Sequence, residues 1–356
     1  MKSSNIAERK PTVYIVSWYG VNNAGGMERV VGLLKEVIQK KYRIVIIDKE
    51  FIRHHRNLRH LYFSNHPVYL MFLFSICAKL VKQKNDLLIG NGFNAPFVKK
   101  DISIAHGTMY AVKKSLGQPV WSGSTSFERI ALRNSRRIIS VSEEAKRMMV
   151  RHYGIKENKI AVINNCVNTD IFYPVEKQHT ETTTILFCGR LEKRKGIDDL
   201  YQLATLVGKK EKIRLRIAAT DRNNTDMFAG LGNVELCYDL GLKEMNEFYN
   251  SGDVLYLPSK YEGFEMVTLE SLAAGVPVVG NRVGAIQELA EQHFMGAYLL
   301  EETNTEETLR QLQSVASEFK GNITKRAELH KMVQEKLGLE NYAKLIMTEV
   351  DNSLRL

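Results

Sequence analysis

Residues 258–280 read PSKYEGFEMVTLESLAAGVPVVG, and this stretch decides the fold. The β-rich run at 254–257 predicts a strand ending at Leu257. Glu262 and Gly263 then fall in a turn, the spacing predicts a helix over 266–274, and residues 277–279 predict another strand. Strand, turn, helix and strand make a βαβ unit, which argues for a parallel sheet. A turn at the carboxyl end of such a strand is where these sheets bind ligands. The amides at the helix start suit phosphate. Glu270 lies about two turns into the helix, on the side facing the loop. Carboxylates accept hydrogen bonds from hydroxyls, so Glu262 and Glu270 fit a sugar or a ribose. Isolated glutamates are ordinarily solvated, so the pair needs company from the rest of the chain.

The same alternation extends in both directions. Strand-like runs in the second half fall at 185–188, 213–218, 234–237, 254–257, 277–279 and 297–300, with helical stretches at 196–207, 266–274 and 284–291. In the first half they fall at 12–17, 43–48, 86–90, 101–105, 137–141 and 160–163, with a helix expected over 27–41. Residues 168–184, NTDIFYPVEKQHTETTT, are polar and without period, and read as a linker. The expectation is an α/β protein of two doubly wound lobes, 1–167 and 185–338, facing across a cleft. The helical stretch 339–354 has no strand after it and is expected to cross back to the first lobe, so that about 339–356 belong with it.

The 356 residues are 44% hydrophobic and 25% charged, which excludes a disordered or collagen-like chain. Residues 1–170 hold 28 basic and 12 acidic side chains, a net of +16. Residues 171–356 hold 22 and 28, a net of −6. A basic first half suggests an anionic partner for that half alone. Cys77, Cys166, Cys188 and Cys237 show no C-x-x-C spacing, so no zinc knuckle or redox motif is written, and their apolar settings suit a reducing compartment. Residues 1–10 are polar, with no signal-peptide core visible. Residues 68–78, VYLMFLFSICA, are too few to span a bilayer, which takes ~20. Flanked by His54, His55, Arg56, Arg59, His60, Lys79, Lys82 and Lys84, they read as a buried helix or as one lying at a membrane interface, the buried reading being favoured on the stretch alone.

Three further groups carry chemistry. Gly25-Gly26 precede the first long helix and would let its N-terminus approach an anion, but the G-x-G-x-x-G dinucleotide fingerprint is absent there. The run Gly189-Arg190-Leu191-Glu192-Lys193-Arg194-Lys195-Gly196 follows a strand, and Arg190 and Lys195 suit a diphosphate. His106 stands at a strand's carboxyl end.

Taken together these residues resemble the family-four retaining glycosyltransferases, whose GT-B fold is two Rossmann-like lobes around a cleft. The matching segments keep their order: AGGMERV (24–30), HGT (106–108), VSEEAKRMMVRHYGI (141–155), KIAVINNCVNTDIFYP (159–174), FCGRLEKRKGI (187–197), YEGFEMVTLESLAAGVPVV (261–279) and GAIQEL (284–289). They cover most of residues 12–290. The resemblance implies that Arg190 and Lys195 bind the donor diphosphate, Glu262 the donor sugar and Glu270 the ribose. It implies that the amides of Gly263, Phe264, Glu265, Met266 and Val267 cradle the phosphates, that Gly25 and Gly26 approach them from the other lobe, and that His106 lies near the anomeric carbon. Glu288 matches a recurrent acid. The catalytic set implied is His106, Arg190, Lys195 and Glu262. No cofactor or metal is expected, because the cations can stabilise charge on the leaving diphosphate.

The family usually has a small residue or Pro at the position of Glu265. A carboxylate beside the diphosphate is repelled unless its side chain turns away or takes a donor hydroxyl. The resemblance implies hexosyl transfer, with retention, from a nucleotide-diphosphate sugar, UDP-sugar being favoured, to a hydroxyl of a sugar acceptor, lipid-linked, in surface-polysaccharide or lipopolysaccharide synthesis. The basic first lobe then suggests peripheral attachment to the anionic inner face of the plasma membrane, from the cytoplasm. The alternative is a non-catalytic nucleotide-sugar-binding partner subunit. A nucleic-acid partner is not expected, since no such motif accompanies the charge. A sucrose-type synthase of the same fold is disfavoured by the short first lobe.

Overall fold

The computed structural model describes residues 11–21, 25–176, 180–301 and 304–355; Ala24 of the glycine turn, residues 1–10 and part of the expected linker lie outside them. Six parallel strands form a first sheet: β1 (Thr12–Val16), β2 (Arg43–Ile47), β3 (Leu87–Asn91), β4 (Lys100–Ala105), β5 (Ser135–Ser140) and β6 (Ile160–Val162), in the order β2-β1-β3-β4-β5-β6. Six more form a second: β7 (Thr183–Gly189), β8 (Ile213–Ala219), β9 (Val234–Tyr238), β10 (Val254–Leu257), β11 (Val278–Gly280) and β12 (Ala297–Leu299), in the order β12-β11-β10-β7-β8-β9. The strands read as apolar runs because both faces are covered: β1, β3 and β10 are buried at every residue. An amphipathic helix such as Gly26–Ile38 buries one stripe, here Val30, Val31, Leu34, Val37 and Ile38.

Strand order locates the cleft. In the first sheet β1 lies between β2 and β3, so the chain reverses direction across the β1/β3 pair. In the second sheet the reversal falls at β7/β10. Loops leaving adjacent strands at such a point diverge to opposite faces and leave a crevice. The glycine turn after β1, the basic turn after β7 and the turn after β10 all lie at these points.

Several boundaries differ from expectation. The first long helix ends at Ile38, and Lys41 and Tyr42 instead bond Asp351 of the Leu339–Leu354 helix at 2.7 Å each. That helix packs on Gly26–Ile38. β7 begins at Thr183, inside the expected linker. The described part of that linker is tied down: Phe172 is buried, and the amides of Tyr173 and Val175 donate to Asn246 and Asn250 at 3.1 and 2.7 Å. Residues 68–78 fall in the Pro67–Val81 helix, which has two apolar faces. Leu70, Leu73, Phe74 and Cys77 are buried, whereas Phe72, Ile76 and Leu80 are 48, 50 and 65% exposed. One face of the stretch is thus buried, as the favoured reading has it, and the other is exposed. Among the described residues no helix is long and apolar enough to cross a membrane.

Candidate active site

The basic turn after β7 is folded by glycines. Gly196 ends the Lys193–Lys195 turn at φ +76°, and a Cβ there would fall 2.1 Å from the Pro258 carbonyl oxygen. Only glycine lets the loops after β7 and β10 touch in this way. The contact delivers Lys195 and Arg194 to Glu262. Lys195 Nζ lies 2.6 Å from Glu262 Oε1, and Arg194 Nη1 lies 3.2 Å from Oε2 and 3.1 Å from the Tyr261 carbonyl. Burial opposes the charge on Glu262, but Lys195 and Arg194 outweigh it and hold the carboxyl below its usual value. Arg194 stands outside the residues read from the sequence, although it lies within the same motif. Arg190, in contrast, is more than half exposed on the cavity wall, 4.0 Å from Glu192. Of the two, Arg190 is the more exposed; Arg194 is engaged by Glu262 and Glu192.

Glu265 caps the Met266–Ala273 helix by its backbone, while its side chain turns to another helix. Its oxygens accept from the amides of Ala285 and Ile286 at 2.8 and 3.1 Å and from Thr268 Oγ1 at 2.6 Å. Of the two alternatives for this carboxylate, the structure has the side chain turned away, capping the Gly284–Glu291 helix. Burial, with Glu262 nearby, pushes its pKa up to about 7. Gly284 is required here, since a Cβ would meet Glu265 Oε2 at 2.1 Å and Glu262 Cβ at 2.5 Å. The amides of Met266 and Val267 belong to the first turn of their helix, where no intrahelical acceptor exists. Both residues line the cavity, as do Gly263, Phe264 and Glu265.

His106 reaches the same cavity from the carboxyl end of β4. Its Nε2 lies 2.5 Å from Asn91 Oδ1, at the end of β3, so Nε2 carries the proton and Nδ1 is the accepting nitrogen. Enclosure between the lobes pushes the imidazole down to about 4, so the ring is neutral at pH 7. The neighbouring Thr108 amide donates to Tyr261 Oη at 3.0 Å, and Gly107 takes φ +130°. Gly263 approaches so closely that a Cβ would lie 1.8 Å from the His106 carbonyl oxygen.

Three more links join the lobes. Asn165 Nδ2 donates to the Phe264 carbonyl at 2.7 Å; its Oδ1 is buried without a partner, and the residue lines the cavity. Glu288 accepts from the amides of Glu143 and Glu144 at 2.7 and 3.3 Å and so caps a first-lobe helix, Glu143–Tyr153. Arg29 forms an ion pair with the buried Glu270, whose other oxygen accepts from Tyr249 Oη at 2.9 Å. The cavity enclosed has a volume of about 470 Å³. Gly25, Gly26, His106, Arg190, Lys195, Glu262 and the 263–267 turn all line it; Glu270 does not, because Arg29 stands on that wall. The arrangement offers an exposed guanidinium, helix-terminal amides and a clamped carboxylate around one volume, which suits a diphosphate joined to a polyol.

The chain is similar to known proteins in sequence and in fold. Residues 182–318 match the family model described as "Glycosyl transferases group 1", and residues 24–171 match "Glycosyltransferase Family 4". A curated relative, an uncharacterized glycosyltransferase of Methanocaldococcus jannaschii, is 29% identical over 245 residues, covering 62% of this chain and 60% of that protein. The aligned part thus spans under two thirds of that relative's length. Sucrose-phosphate synthase from Thermosynechococcus elongatus superimposes with a TM-score of 0.78 at 16% identity, over 97% of this chain and 99% of that one. Anabaena Alr3699/HepE, solved in complex with UDP-glucose, gives 0.72 at 14% identity, over 96% and 99%. At these identities the likeness is one of fold, and the fold is GT-B. Since the synthase is matched over nearly its whole length, a short first lobe does not separate the two.

Proposed function

Because the chain belongs to the family-four glycosyltransferases of the GT-B fold, we propose that it moves a hexose from a nucleotide-diphosphate sugar to a hydroxyl of a sugar acceptor, with retention of configuration and without a metal. The observation that carries this reading is the constellation around Glu262: a buried carboxylate held by Lys195 and Arg194, beside the exposed Arg190 and the amides of 263–267. Breaking the nucleotide–sugar bond leaves extra negative charge on the diphosphate. Arg190, Lys195 and the helix terminus stabilise that charge most in the transition state, the task a metal performs in other transferases. Neutral His106 and the clamped Glu262 position the sugar. The two-carboxylate chemistry of glycosidases is not assigned to Glu262 and Glu270. UDP is the favoured nucleotide, as a protein of this fold is described bound to UDP-glucose.

The acceptor proposed is lipid-linked, in cell-surface glycan synthesis at the inner face of the plasma membrane. Phe72, Ile76 and Leu80 are exposed on one helix, and Arg53, Arg56, Arg59, Lys79 and Lys84, close by in the chain, are exposed as well. Exposed apolar side chains with cations in the flanking chain suit an anionic leaflet.

Donor turnover across UDP-, GDP- and ADP-sugars, with and without EDTA, tests the proposal on the wild type and Lys195→Ala. Turnover of one donor, indifferent to EDTA and lost in the variant, is expected. Tight binding of a donor with no turnover, given a panel of acceptors, would favour the non-catalytic subunit instead. Turnover abolished by EDTA and restored by a divalent ion would refute metal independence.

A further inference from the structure

Arg29 and Glu270 are 241 positions apart, on facing helices of the two lobes, yet they form an ion pair. The Glu270 side chain is 1% exposed and that of Arg29 is 27% exposed. Arg29 lines the cavity together with Cys188, Met245 and Val267, and Glu270 does not. The guanidinium therefore stands between the cavity and the carboxylate. Tyr249, itself fully buried, occupies the other oxygen from within the second lobe. Glu270 holds the Arg29 guanidinium above its usual pKa, as an intimate pair does.

We infer that Arg29 is a gate on the nucleotide site, occupying on Glu270 the place that ribose hydroxyls take when the donor binds. The inference rests on the reading that Glu270 holds the ribose. A ribose diol presents two O–H donors, as the guanidinium presents N–H donors, and both seek the same lone pairs of one carboxylate. The two arrangements exclude each other on the cavity side, because Tyr249 backs Glu270 from the interior. Binding thus exchanges an interlobe ion pair for hydroxyl contacts. The pair keeps a buried carboxylate matched with a cation, a requirement for any buried charge. Release of Arg29 couples nucleotide binding to the position of the first lobe, since the residue sits one turn into the Gly26–Ile38 helix.

Isothermal titration of the full chain with UDP and with 2′,3′-dideoxy-UDP, on wild type, Arg29→Met, Glu270→Gln and the double variant, separates the terms. If UDP proves the wrong base, GDP or ADP and their dideoxy forms replace it. Arg29→Met is expected to bind UDP about tenfold more tightly, the factor released when a gate shut nine times in ten is removed. Its affinity for the dideoxy form is expected unchanged, and the gain is expected to vanish in the double variant. Weaker UDP binding by Arg29→Met, or an equal change for both nucleotides, would overturn the gate. If Glu270→Gln weakens UDP and Arg29→Met changes nothing, the gate alone fails. If the double variant binds UDP as Arg29→Met does, the ribose reading itself fails and takes the gate with it. Arg29→Lys, which keeps the charge, serves should the methionine variant not fold, with an intermediate gain expected and no gain counting against the gate.

Discussion

Gly263→Ala tests whether this site is completed by the approach of the two lobes. A Cβ on Gly263 would lie 1.8 Å from the His106 carbonyl oxygen and 2.8 Å from its carbon, and real Cβ contacts stay beyond 3.0 Å. The shortfall is 1.2 Å, and the obstacle is backbone, which no rotamer change relieves. Gly263 does not have a positive φ, so alanine suits the local chain and each lobe keeps its own fold. The methyl group therefore acts at the cleft. It forces the loop after β10 away from the loop after β4 and disturbs the 3.0 Å bond from Thr108 to Tyr261. A displacement of about 1 Å between reacting groups costs roughly 10²-fold in rate. The expected outcome is a kcat for donor turnover about 10²-fold below wild type, with Tm within a few degrees. Steady-state kinetics and a thermal melt on one preparation measure both. A variant with wild-type kcat would show that the lobes need not meet at Gly263 for chemistry, and would refute the reasoning.

Other perturbations separate roles within the site. Arg190→Ala is expected to lower donor turnover by about 10²-fold with little change in Tm, because the side chain is exposed, whereas Arg194→Ala is expected to lower both, because it strips a partner from a buried carboxylate; equal Tm for the two variants would contradict that division. Glu265, with its pKa raised to about 7 in the folded state from the ordinary 4.5, contributes stability that is fully present below pH 4.5 and lost as pH rises through 7. The stability difference between wild type and Glu265→Gln, from urea melts at several pH values, should therefore fall by roughly 3 kcal/mol over that window, and a flat difference would remove the assignment. Phe72→Ser with Ile76→Ser should reduce co-sedimentation with anionic vesicles at low salt while leaving turnover of soluble substrates intact; equal binding by the double variant would argue against the apolar stripe.

The repeating βαβ pattern was legible in the chain because parallel strands buried on both faces are written as apolar runs, and helices as periodic stripes. The turns holding Arg190, Lys195, Glu262 and Gly263 were legible for a related reason: their chemistry is local, set by residues a few positions apart after a strand. Resemblance to a known family then supplied roles that spacing alone left open. Other features were settled only by the tertiary structure. Strand order placed the turns after β7 and β10 side by side, and thereby decided that Arg194, rather than Arg190, joins Lys195 on Glu262. The carboxylate of Glu265 found its partners at Ala285 and Ile286, about twenty positions on, which no local pattern announces. The two faces of the Pro67–Val81 helix follow from what packs on one and leaves the other largely exposed. Arg29 was visible in its motif, but its partner Glu270 lies in the other lobe. A contact of that separation depends on how two sheets are set against each other, and that geometry is a property of the folded chain, absent from any short stretch of it.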